Sequence, residues 1–118
     1  MKLQTIIAAK KPMQILAMER LPMKTAHDLY QLAKKLDVHN AFFEEKRVSI
    51  LNECAIVQDG KYVPKPGQES EMNRQLEELV SMEIKEEWDK VKISMVNDVK
   101  LSMVDIIALE PFVIFEEE

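Results

Sequence analysis

A mainly α (α+β) fold is predicted for this chain by three observations. Glycine and proline are scarce, at two and five residues in 118, which is too few for the turns of an all-β protein. Apolar residues recur at helical spacing through most of the first 81 positions. The spacing then changes to alternation, with Val91, Ile93 and Met95 set against Lys92 and Ser94, as in a strand. The expected architecture is a long helical hairpin, a shorter N-terminal helical segment and a small C-terminal β-containing part. A single domain is expected over 1–118, helical over 1–81 and strand/helix/strand over 82–118.

The first helical segment covers 3 to 19. Leu3, Ile6, Ile7, Met13, Leu16 and Ala17 share one face. Pro12 interrupts it, so the helix either kinks there or breaks near Lys11 and restarts with Pro12 in its first turn; the restart is preferred. Leu21-Pro22 punctuates the chain, and a long helix follows from about Met23 to about Val57. Pro22 suits its first turn, and Thr25 with Asp28 has capping-box spacing.

A seven-residue register fits the long helix. Its a and d positions are Ala26, Leu29, Ala33, Leu36, Asn40, Phe43, Arg47, Ile50, Cys54 and Val57, the pattern of a helical hairpin or short coiled coil. Leu32, Phe42 and Leu51 widen the stripe, which implies more than one packing neighbour.

Gln58-Asp59-Gly60-Lys61 reads as a turn, and Tyr62 to Gly67, with two prolines, as an extended connection. A third helix begins near Gln68, with Met72, Leu76, Leu79 and Val80 on one face and Glu69, Glu71, Glu77, Glu78 and Glu83 on the other. Met82, Ile84 and Glu86 fit either an early strand or the end of that helix. Ser102 with Asp105 forms a capping box for a short helix that Pro111 ends. Phe112 to Phe115 reads as a last strand, and Glu116 to Glu118 as a solvated acidic end.

At about 1.5 Å per residue the long helix would measure about 50 Å, and a third helix of about 15 to 20 residues only about 25 to 30 Å. The apolar stripe therefore needs further cover, from the first segment or from a second copy of the chain. A homo-oligomer is the preferred reading, with Leu36, Asn40, Phe43, Arg47 and Ile50 as the candidate interface. Asn40 and Arg47 would fix register there at some cost in stability.

Composition narrows the function classes. Hydrophobic residues make up 47% and charged residues 31%, a globular composition. A net charge of -5 and a pI near 5.1 argue against a nucleic-acid partner, whose phosphates demand Lys and Arg. They argue more weakly against a membrane surface. The N-terminal apolar run ends at Lys10 and Lys11, too soon for a signal peptide, and no stretch approaches the ~20 apolar residues of a span. A cytoplasmic location is expected.

Catalytic, cofactor and metal sites are expected to be absent. His27 and His39 would stand about 18 Å apart on one helix, too far to share a metal. Cys54, the single cysteine, lies on the apolar stripe and reads as a small buried hydrophobe rather than a nucleophile. The acidic pairs Glu44-Glu45, Glu77-Glu78 and Glu86-Glu87 point in different directions on a helix and read as solvated faces. Gly60 and Gly67 stand alone, so there is no phosphate loop. Lys24, Lys34, Lys35, Lys46 and Arg47 on the long helix oppose an acidic third helix; they either favour hairpin pairing, weakly, or are simply solvated. The eight methionines read chiefly as core filler, with Met72, Met82, Met95 and Met103 at apolar positions.

Leu21-Pro22-Met23-Lys24-Thr25-Ala26, running into Leu29, Leu32, Ala33 and Leu36, together with the stretch from Leu101 to Phe112, resembles the ends of a family of small phage and prophage proteins from Gram-positive hosts. That family is a domain of unknown function. The resemblance implies a phage origin, hence host cytoplasm or virion, and carries no catalytic residues. The leading expectation is a phage-encoded, non-enzymatic protein–protein interaction protein, as a virion assembly factor or minor structural component. The alternative is an accessory protein that binds and inhibits a host protein. A small enzyme ranks third.

Overall fold

In a computed structural model of the chain, residues 1–94 and 100–116 are described. Met95, Glu117 and Glu118, assigned above to a strand and to an acidic end, lie outside them. The element order is α1 (Leu3–Ala17), α2 (Met23–Cys54), β1 (Ala55–Gln58), β2 (Lys61–Pro64), α3 (Glu69–Val80), β3 (Val91–Ser94), α4 (Met103–Leu109) and β4 (Val113–Glu116). The protein is mainly α with short strand pairs, as its composition predicts.

α1 is one helix with Pro12 inside it, not the restart expected. An interior proline costs about 3 kcal/mol. Burial of Leu3, Ile6, Ala9, Met13 and Leu16 along one face offsets that cost. Ala8, whose carbonyl loses its helical donor to Pro12, is an exposed residue.

α2 starts at Met23 behind Pro22 and has no side-chain cap, so Thr25 and Asp28 form no capping box. It ends at Cys54, three residues before the expected end. Ile56 and Val57 are β-branched and pair instead with Val63 and Tyr62 across an antiparallel hairpin. Asp59 (φ 52°) and Gly60 (φ 77°) supply the two positive dihedrals of a type I′ turn, whose twist matches that of the strands.

α3 is shorter than expected, at 12 residues or about 18 Å. Its C-terminal neighbour Met82 accepts a hydrogen bond from the backbone N–H of Leu3 (2.8 Å), and Ile84 N–H donates to Met1 O (2.7 Å). Met82 to Ile84 are therefore extended rather than helical, paired through a single bridge between Lys2 and Glu83.

β3 and β4 are parallel, with Val91 opposite Val113. Parallel neighbours require a crossover, and α4 lies in it, packed on α1. The Ser102–Asp105 capping box forms as expected: Asp105 N–H donates to Ser102 Oγ (3.1 Å) and Ser102 N–H to the Asp105 carboxylate (3.3 Å).

A contiguous apolar core joins α1, the first half of α2, Leu79, Ile84 and the β3–α4–β4 unit. α1 runs antiparallel to α2: Ala17 lies by Ala26, Leu29 and Tyr30, and Lys10 by Asp37 and Asn40. Since α3 ends where α1 begins, the two helices lie end to end along α2. Their combined length of about 40 Å nearly spans the roughly 48 Å of the long helix. Among the described residues, no helix is long and apolar enough to cross a membrane.

Candidate interaction surfaces

The seven-residue stripe on α2 divides into two parts. Leu36 and Asn40 are buried beneath α1, beside Lys10, Met13, Gln14 and Ala17. Phe43, Arg47 and Ile50 lie further along and are half-buried. Phe43 and Ile50 pack at the margin of the core together with Phe42, and Lys46 Nζ sits 5.8 Å above the Phe42 ring. Arg47 donates through Nε (3.1 Å) and Nη2 to the Glu44 carboxylate one turn away. The same bond holds the Glu44 carboxyl below its usual range and raises the guanidinium. Leu36 and Asn40 are thus covered within one chain, while Phe43, Arg47 and Ile50 stay partly open.

Beyond α2 the exposed apolar residues fall on two elements. On the hairpin, Ile56 and Val57 on β1 and Tyr62 and Val63 on β2 are all exposed. Strand neighbours point to opposite faces, so neither face of this two-stranded sheet is fully covered. Leu51, Cys54 and Ala55 at its root are buried outside the main core. On α4, Met103, Val104, Ile106 and Ile107 are exposed and Leu109 alone is buried. Met18 and Met23, at the α1–α2 connection, are also open. The methionines therefore depart from the expected role of core filler: Met13 is the buried one among the described residues, and Met82 and Met103 reach solvent. Flexible thioethers on a surface suit adaptable binding.

Arg47 and Arg74 pair within their own helices, whereas Lys92 reaches Glu116 across β3 and β4 (3.7 Å). Arg74 reaches Glu71 and Glu78 inside α3, as Arg47 reaches Glu44 inside α2. Hydrogen bonds from Arg74 and Gln75 lower the Glu71 carboxyl to about 2, and Glu71 and Glu78 raise the Arg74 guanidinium. The Met1 amine lowers Glu83, on which it sits at 2.8 Å.

His39 carries a structural role that its sequence neighbours gave no sign of. Its ring meets Trp88 edge-on at 5.8 Å, and Trp88 in turn tilts against Phe112 at 6.3 Å. His39 Nε2 lies 3.2 Å from Glu86 Oε1. The buried Nε2 makes no hydrogen bond, and the contact is an ion pair only when the imidazole is protonated. This chain of rings fastens the segment around 86–88 to α2. The only signal for it lay in pairing residues 49 positions apart, His39 with Trp88, which no local pattern supplies. His27 meets Gln31 on its own helix (3.4 Å), and Cys54 is a free, buried thiol. Among the described residues no group of His, Cys, Asp and Glu is placed to hold a metal ion.

A cleft of about 630 Å³ lies between the start of α2 and residues 88–92. Lys24, Lys35, Lys90 and Lys92 line it with Asp28, Asp89 and Trp88. Comparison with protein-family models, with curated proteins and with solved structures finds no match to this chain.

Proposed function

We propose that this chain is a non-enzymatic protein–protein interaction protein, phage-encoded, acting as a virion assembly factor or minor structural component. One observation carries the interaction reading. Large apolar side chains stand exposed in two groups, on the hairpin and on α4, and contiguous apolar patches of this kind mark contact sites. The phage origin rests on the resemblance of stretches 21–26 and 101–112. Capture from infected-host lysate tests both parts, with the native chain compared to Val57→Asp and Ile107→Asp. Recovery of virion proteins that either substitution abolishes is the expected result. Recovery of a host enzyme instead would favour the inhibitory alternative, and identical recovery by all three chains would overturn the assignment of the surfaces.

A further inference from the structure

We infer that the cleft between the start of α2 and residues 88–92 is a binding site for a nucleoside polyphosphate. The site is separate from the apolar surfaces of the hairpin and α4, and does not rest on the interaction reading.

Charge is the first support. Four lysines line the cleft against two aspartates, so it is locally basic in a chain whose net charge is -5. Lys24 and Lys35 stand on one face of α2, about three turns apart. Lys90 and Lys92 come from the facing segment, where alternation along β3 buries Val91 and turns Lys92 outward. Among the described residues Lys24, Lys35 and Lys90 have no ion-pair partner. Lys92 is shared with Glu116 at 3.7 Å, a solvent-facing pair that an anion readily exchanges. Like charges gathered around a recess focus their field on an anion entering it. The first turn of α2, uncapped and without an acidic residue, adds positive potential at the same mouth.

The residue type selects phosphate. Lysine binds phosphate oxygens as a point charge, whereas a planar carboxylate is gripped best by the arginine fork. Among the described residues no arginine lines the cleft; Arg47 and Arg74 are committed to glutamates of their own helices. Size and the apolar side select an organic ligand over a bare ion. A volume of about 630 Å³ falls within the roughly 300–1,000 Å³ of small-molecule and cofactor sites, far more than one phosphate fills. Buried Leu32 and Val91 and half-buried Trp88 stand beside the lysines, an apolar side on which a planar base packs. Trp88 is already held by His39 and Phe112, so little ordering is left for the ligand to impose. Asp28 and Asp89 offer carboxylate acceptors for ribose hydroxyls. The two walls come from distant parts of the chain, so no motif announces the site.

Isothermal titration calorimetry and the emission of Trp88, the only tryptophan, test the proposal on the full chain with ATP, inorganic triphosphate and adenosine as probes. ATP should bind saturably, with a Kd between about 10 µM and about 1 mM, perturb Trp88 emission and weaken as salt rises. Inorganic triphosphate and adenosine should each bind at least about tenfold more weakly. Lys35→Glu and Lys90→Glu, on opposite walls, should each weaken ATP by about tenfold or more. Lys61→Glu, the same charge change on the hairpin, should leave ATP binding unchanged. Far-UV circular dichroism confirms that each variant stays folded, and Lys35→Gln or Lys90→Gln replaces one that does not. No saturable ATP binding below about 10 mM overturns the proposal, as does binding that survives both cleft substitutions or weakens equally with Lys61→Glu. Inorganic triphosphate or polyglutamate binding as tightly as ATP would also overturn it, leaving a basic surface and no nucleotide site.

Discussion

Ile6→Ala probes the packing on which the whole fold depends. Ile6 is fully buried, at 0% exposure, on the helix that lies between α2 and α4. Truncation removes three carbons at about 0.8 kcal/mol each. The cavity left behind raises the loss to about 3–4 kcal/mol, within the range for such substitutions. With an unfolding entropy of about 2.1 cal/mol/K per residue, a domain of 118 residues should lose about 12–16 °C in Tm. The control is Ile107→Ala, on a side chain 58% exposed, which should change stability by less than about 0.5 kcal/mol. Urea titration and thermal melts at one fixed protein concentration measure both, since association would otherwise shift the apparent stability. A loss below about 1 kcal/mol for Ile6→Ala, or equal losses for the two variants, would refute the placement of α1 in the centre.

Three further outcomes are expected. The Glu71 carboxyl is depressed from its ordinary 4.5 to about 2, so its contribution to folding is complete above about 4.5 and fades as pH falls through that window; Glu71→Gln should remove this part of the acid transition, and an unchanged acid titration would count against it. His39→Ala removes an edge-on ring contact worth about 0.5–1.5 kcal/mol and should shift Trp88 emission to longer wavelength, whereas an unchanged spectrum would mean that His39 does not hold Trp88. Ser102→Ala should cost about 1 kcal/mol through the lost cap of α4, read by urea denaturation.

The parts of the fold legible in the sequence were those specified by local chemistry. The Ser102–Asp105 box, the positive dihedrals of Asp59-Gly60 and the apolar spacing of α1 and α2 each depend on neighbours within a turn. Three features went astray where distant contacts prevailed. The register of α2 continued through Val57 on paper, but β-branched residues beside an Asp-Gly turn found strand partners and ended the helix at Cys54. Pro12 stayed within α1 because five buried neighbours on that helix outweigh its missing hydrogen bond. The stripe of Leu36, Asn40, Phe43, Arg47 and Ile50 was visible as a surface needing cover. Its division, with the first two residues under α1 and the last three left half-open, depends on how far α1 reaches, and no periodicity gives that. The His39–Trp88–Phe112 contacts join three distant parts of the chain and have no local signature.

Amide hydrogen exchange, resolved by residue, tests most directly the central claim that α1 shelters one half of α2 and leaves the other part-open. Residues 29–40, against α1, should exchange slowly. Residues 43–50, half-buried or exposed, should exchange faster. Protection of 43–50 equal to that of 29–40 would contradict the account.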